Sequence, residues 1–279
     1  MPTGTDSTRV EQRIVEQAAR LPEGGALTGW AALRLAGGGF FDGLAPDGTT
    51  QLPVPLAVPP GHRRRTTPDF QLLRRRLGAA ERDQRHGLPC VTPVRAVLDE
   101  VHRIGELREA VVVLDMALVA RLVTFGELDA FIASHAGLPG VSLMRRAREL
   151  ASDRSRSPME TRMRLIWVLD AGLPTPRCNW PIADASGRWL GSPDLLCGEL
   201  AVFGEFDGAD HRERGQHRTD VERDDLFRRT GLEGFGLVGA DIHDTPRAVA
   251  RMLAAVERAR ESNRPRTWLV KVNPKPLWP

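Results

Sequence analysis

Pro193-Asp194-Leu195-Leu196-Cys197-Gly198-Glu199-Leu200-Ala201-Val202-Phe203-Gly204-Glu205-Phe206-Asp207-Gly208 is the stretch on which the reading of the fold turns. Its second half alternates as a strand does, so Glu205 and Asp207 project from one face, one pleat apart. Gly198-Glu199 is a turn-like separator, and antiparallel pairing across it can bring Asp194 beside Glu205. Glu205 lies inside the apolar run 202–206, where an unpaired charge is costly to bury. Two carboxylates a few ångströms apart repel each other unless a cation lies between them. Oxygen ligands with open positions suit Mg2+, whose shell is completed by waters and substrate phosphate. Asp194 and Glu205 are therefore candidate ligands for Mg2+ or Mn2+, in a site that activates water against a phosphodiester. For Asp194 the plain alternative is a turn former after Pro193.

Outward from this stretch the elements are legible. A helix is predicted from Pro158 to about Ala171, stopped by Gly172 and Pro174. Strands are predicted over 176–184, 188–197 and 200–207, then a polar loop over 208–216. A charged helix over 218–230 ends at Gly231, a short strand covers 235–238, and a last helix runs from Pro246 to about Ala259. The order α-β-β-β-α-β-α defines an α/β unit over 155–262. Ser157-Pro158-Met159-Glu160 has the form of a capping box at its start, a structural alternative for Glu160. The polar stretch 152–157 marks a boundary. Before it, helical patterns at 10–36, 93–104, 106–121, 125–135 and 140–151, with strand-like fragments in 42–62, predict a mainly helical domain with a small β region over 1–151. Residues 263–279 carry four basic groups and no acid, and read as a basic C-terminal tail.

Composition sets the outer limits. Of 279 residues, 41% are hydrophobic and 27% charged, which fits folded domains and excludes wholesale disorder. No apolar run approaches 18 residues, so a membrane span is not expected, and Met1-Pro2-Thr3-Gly4 leads into no apolar signal core. Cys90, Cys178 and Cys197 match neither a disulfide framework nor a zinc pattern, which predicts a reducing cytoplasm. Trp30, Trp167, Trp180 and Trp189 read as core residues. Residues 1–150 carry 19 basic against 17 acidic residues, and 151–262 carry 16 against 19. Almost all the basic charge is arginine. The triplets Arg63-Arg64-Arg65 and Arg74-Arg75-Arg76 are candidate contacts to DNA phosphates, with a solvated loop in an arginine-rich chain as the alternative.

Several spaced motifs carry a resemblance. Pro193-Asp194, then Glu205-x-Asp207-Gly208, then His211 resemble the DUF559 branch of the PD-(D/E)XK nucleases, which is related to the very-short-patch-repair endonucleases. Ser157-x-x-Glu160-x-x-x-Arg164 before them, and Asp220-x-x-Arg223 with Gly231 after, fit the same family over about residues 155–240. The resemblance implies a restriction-endonuclease-like α/β/α core around a mixed sheet. It further implies Asp194 and Glu205 as metal ligands, with Glu160, Asp207 and His211 as supporting catalytic residues. The signature lysine is absent, because Asp207 stands two residues after Glu205. His211, or Arg223 facing a phosphate, are the candidate substitutes for that cation. Upstream, Gly87-Leu88-Pro89-Cys90-Val91-Thr92-Pro93-Val94-Arg95-Ala96-Val97-Leu98-Asp99 resembles the middle segment of AbiEi-type antitoxins.

Two classes of function are therefore expected. The first is a metal-dependent DNA endonuclease or nuclease-derived DNA-processing protein. The second is a DNA-binding antitoxin or transcriptional regulator with an inactive nuclease-like core and a cognate toxin as partner. A protein-interaction scaffold that binds no nucleic acid is the remaining alternative.

Overall fold

In the computed structural model, residues 9–208 and 226–270 are described. The chain divides into two units, Met1–Asp153 and Arg154–Pro279. The division falls inside the polar stretch 152–157.

The first unit has its helices where the sequence places them. Pro93 opens α3 (Pro93–Ile104), and Gly105, left-handed at φ 70°, closes it. Glu106 caps α4 (Leu107–Val119) by accepting from the Arg108 and Glu109 amides. Thr124 and Glu127 form a reciprocal box at α5 (Phe125–Ser134), and α6 (Val141–Leu150) follows. Ahead of these lie α1 (Val10–Ala18) and α2 (Gly29–Leu35). The β region is larger than expected. Strands β1 (Ala26–Leu27), β2 (Val54–Val58), β3 (Phe70–Arg74), β4 (Arg82–Arg85) and β5 (Leu88–Val91) form one mixed sheet in the order β3-β2-β1-β5-β4. The sequence conceals it because β1 is two residues long within a helical-looking segment, and β4 is polar throughout. A two-residue turn, His86-Gly87, joins β4 to β5 with φ of 51° and 78°, the left-handed pair that matches strand twist.

Charge, as well as apolar packing, fastens α3 to this sheet. Asp99 is fully buried, accepts from Thr28 Oγ1 at 2.7 Å, and faces Arg75 Nε at 3.1 Å and Arg95 Nε at 3.3 Å. Arg95 also pairs with Glu81. Burial opposes the Arg95 charge, but Asp99 and Glu81 more than offset it and hold its pKa above the usual arginine value. Arg75 is thereby corrected. It is spent on an internal ion pair with a buried carboxylate, so it does not belong among the phosphate contacts.

In the second unit, α7 (Pro158–Leu165) starts at Ser157, whose hydroxyl accepts the Glu160 amide at 3.2 Å. It continues through a π-helical turn, Ile166–Asp170, and stops before Gly172 at φ 63°. The first two expected strands are each divided. Residues 176–184 give β6 (Arg177–Cys178) and β7 (Ile182–Asp184), while 188–197 give β8 (Trp189–Gly191) and β9 (Leu195–Cys197). The first break is at Asn179, left-handed at φ 51° and followed by Trp180-Pro181. The second is at Ser192-Pro193. Proline cannot donate to a ladder, so each strand leaves its sheet there. With β10 (Val202–Asp207) and β11 (Glu233–Val238), β6 and β9 build a mixed sheet in the order β11-β10-β9-β6. A second, three-stranded sheet has the order β12-β7-β8, where β12 is Trp268–Val270. The expected basic tail is corrected here: residues 268–270 pair with β7, because Trp268 and Val270 pack on the apolar cluster below.

Alternation assigns the two faces of the four-stranded sheet. Leu195, Cys197, Val202, Phe235 and Leu237 meet Met163, Trp167 and residues of α9 (Thr245–Glu261), which follows the single turn α8 (Gly239–Ile242). Leu196 and Phe203 face Ile182, Leu190, Phe227 and Leu232. Helices thus cover one face. Among the described residues, the other is covered by the small sheet and the helical turn at 226–229, where the expected sandwich has helices on both sides. Trp30 and Trp167 are core residues as expected. Trp180 is half-buried between the Arg154 and Arg177 guanidiniums, and Trp189 is corrected outright: it is 60% exposed on the edge strand β8.

One glycine of the decisive stretch has a packing reason. Gly204 pairs with Phe235 across the parallel β10–β11 ladder, and a methyl on Gly204 would run into the Phe235 ring. That ring stacks on Trp167 with centroids 5.6 Å apart. Gly204→Ala is expected to destabilise the second unit by about 1–3 kcal/mol, read by urea unfolding. An unchanged midpoint would contradict the packing.

Candidate functional site

The site is a row of residues across the four-stranded sheet. In the β9–β10 ladder Val202 pairs with Cys197, Phe203 with Leu196 and Gly204 with Leu195, so the next step sets Glu205 opposite Asp194. Directly opposed residues of antiparallel strands share a face. The connection decides this register. Four residues, 198–201, make the turn, with Ala201 left-handed at φ 55°. A two-residue turn at Gly198-Glu199 would pair Cys197 with Leu200 and put Ser192 opposite Glu205 instead. The ladder between β6 and β9 pairs Cys178 with Leu195, and its next step brings Asn179 opposite Asp194. Asn179 donates its amide N–H to the Asp194 carbonyl at 3.1 Å.

Beyond Asp194 the chain turns away at Pro193, so among the described residues the end of β10 keeps only β11 as a ladder neighbour. The Asp194 carboxylate stands in for the lost strand, its Oδ2 accepting the Phe206 amide at 2.8 Å. Glu205 is half-buried, and Asp207 is exposed on the same side of β10. Their separation along the strand is the one expected. His211 and Arg223, with Asp220, lie outside the described residues.

Glu160 enters from the helical layer. Its Oε2 accepts from the Arg156 amide at 2.8 Å and from Asn179 Nδ2 at 2.6 Å. The first bond is a capping contact one residue ahead of Ser157, so the capping alternative holds in part. The second ties Glu160 to the row. Burial, and then the charge of Asp194, push the Glu160 carboxyl up to about 7, against hydrogen bonds that pull the other way. A carboxyl raised in this way contributes stability while protonated, fully so below its ordinary pKa near 4.5. That contribution is lost as pH rises through about 7. Stability in EDTA is therefore expected to fall between pH 5.5 and 8.5 by on the order of 2–3 kcal/mol. Glu160→Gln should flatten the profile in thermal melts. An equal slope in both proteins would show that Glu160 is not the group responsible.

Asn179 is the residue that sequence reasoning missed. It is 1% exposed, and its Nδ2 also donates to the Arg154 carbonyl at 2.8 Å. Arg154 returns the contact, donating to the Cys178 and Asn179 carbonyls at 3.2 and 2.9 Å. The available signal was an asparagine, a poor strand former that tolerates left-handed backbone, in the middle of a predicted strand and two residues before proline.

Among the described residues, no group of three or more His, Cys, Asp or Glu side chains is arranged to hold a metal ion. Asp194 and Glu205 supply two carboxylates on one face, a donor set that suits a hard divalent cation keeping several waters. Cys178 and Cys197 are buried free thiols. Among the described residues no helix is long and apolar enough to cross a membrane. No protein-family model, curated protein or solved structure matches the chain.

Proposed function

We propose that the second unit is a metal-dependent phosphodiesterase core acting on DNA, or one derived from such an enzyme. The observation that supports it best is the register of the β9–β10 ladder, whose last pair, Leu195 with Gly204, is followed on each strand by Asp194 and Glu205, with buried Glu160 bonded to the neighbouring Asn179. Asp194 and Glu205 would hold Mg2+ or Mn2+. The cation would polarise a phosphodiester and acidify a bound water. Glu160, buried at the inner end of the row, would assist from there. Asp207, exposed where β10 loses its β9 partner, is placed to orient water or substrate, and His211 is the further candidate. The resemblance to the DUF559 nucleases supports the same roles and rests on the motif residues alone.

One observation favours a second reading, an AbiEi-type DNA-binding regulator whose core no longer cleaves. The position that carries a lysine in the signature is an exposed carboxylate, Asp207, which supplies no cation of its own to stabilise the charged transition state. Plasmid nicking separates the two. Cleavage with Mn2+ that Asp194→Asn and Glu205→Gln abolish supports the enzyme, whereas salt-sensitive binding without cleavage supports the regulator.

A further inference from the structure

Two groups of six stand out among the nineteen arginines of the first unit. Arg34, Arg75, Arg85, Arg95, Arg103 and Arg148 each face a carboxylate at ion-pair distance. Arg20, Arg63, Arg64, Arg65, Arg74 and Arg76 are all exposed, and among the described residues none of them has such a partner. The second group collects beside the edge strand β3, with one acid, the exposed Asp69, in the same stretch, and the side chains of Arg64 and Arg74 are hydrogen-bonded to backbone carbonyls. Arg64 donates to the Arg20 carbonyl at 3.2 Å, and Arg74 donates to the His62 and Arg64 carbonyls at 3.3 and 3.0 Å. The guanidinium carbons of Arg20 and Arg64 lie 5.9 and 5.5 Å from the ring centroid of Phe70, which is itself buried.

Holding like charges together in fixed positions costs free energy that a bound polyanion returns, and ordered guanidiniums lose little further freedom on binding. The chemistry of the patch narrows the ligand. No large apolar side chain is exposed between residues 62 and 76, so nothing there would insert into a lipid surface. Phe70, the only Phe, Tyr or Trp in that span, is covered, so it offers no platform for stacking unpaired bases.

We propose that Arg20, Arg64 and Arg74, flanked by Arg63, Arg65 and Arg76, form a sequence-independent binding surface for the phosphate backbone of duplex nucleic acid. The inference rests on the reading that the chain acts on DNA and adds where its first unit grips it.

The test is fluorescence anisotropy of a labelled DNA duplex with the full chain across a salt series. Arg63→Gln/Arg65→Gln/Arg76→Gln removes three exposed side chains that make no hydrogen bond or ion pair among the described residues, and a circular-dichroism melt checks that the fold is kept. Its affinity is expected to fall at least tenfold near 0.1 M salt, and the slope of log K against log salt to drop by about 2–3, close to 0.9 per phosphate contact. Arg20→Gln/Arg64→Gln/Arg74→Gln should do the same. Arg145→Gln/Arg146→Gln, exposed on α6, should change the slope little. An unchanged slope in the first triple variant, an equal loss per charge in the α6 control, binding to vesicles of anionic lipid in place of duplex, or no duplex binding by the unaltered chain would each overturn the proposal. Mn2+-dependent nicking that requires Asp194 and Glu205 is scored separately, so the enzyme reading can stand when this surface falls.

Discussion

Asp194→Asn and Glu205→Gln are each expected to reduce Mn2+-dependent nicking of plasmid DNA by at least about 100-fold while leaving the protein folded. The size follows from what each carboxylate does in the proposed site. A metal ion that polarises the phosphodiester lowers the barrier by several kcal/mol, and each 1.4 kcal/mol is a factor of ten in rate. The isosteric amides are the informative variants. Asp194 Oδ2 accepts the Phe206 amide at 2.8 Å, so an alanine would leave a strand end unpaired and confound lost chemistry with lost structure. Asparagine keeps an acceptor and removes only the charge. Glu205→Gln likewise keeps the volume between Gly204 and Phe206. Residual cleavage within a few-fold of the unaltered protein would place the chemistry elsewhere.

Asp99→Ala is expected to be the most damaging single change to the first unit, at about 3–5 kcal/mol. Asp99 lies at the centre of a buried charge network, and removing it strips Arg75 of its carboxylate and leaves Arg95, 1% exposed, with Glu81 alone. Thr28 Oγ1, fully buried, loses its acceptor as well. The penalty is mostly that of stranding buried charge, since it exceeds what the same ion pairs would contribute on a surface. For a unit of this size the unfolding midpoint should drop by roughly 10 °C. Differential scanning calorimetry of the full chain reads it directly, and a loss below about 1 kcal/mol would mean the network is not held as described.

Long amphipathic segments were readable from sequence, and short strands were not. Helices α3 to α6 carry both their periodicity and their capping residues in plain view, Pro93 and Gly105 at one, Thr124 and Glu127 at another. The five-stranded sheet of the first unit was largely hidden, because β1 offers two residues and β4 no apolar alternation. In the second unit the strand segments were found, but their division between two sheets was not. That division depends on Asn179 adopting left-handed backbone and on Pro193 ending a ladder, which are local events inside otherwise strand-like runs. A two-residue turn at Gly198-Glu199 would bring Ser192 toward Glu205, whereas the four-residue turn 198–201 pairs Cys197 with Val202, a register whose continuation past Leu195 and Gly204 reaches Asp194 and Glu205. Arg75 reads as one more basic residue of its triplet because its partner Asp99 lies 24 residues away on another element, and no local pattern reveals that pairing.

The most direct measurement is diffraction from crystals soaked in Mn2+, with anomalous data collected to locate the ion. A single peak within coordination distance of both the Asp194 and Glu205 carboxylates, lost in Asp194→Asn crystals, is the predicted result. Soaked crystals that show both side chains ordered and no anomalous peak between them, at Mn2+ concentrations that saturate other sites, would contradict the proposed metal centre.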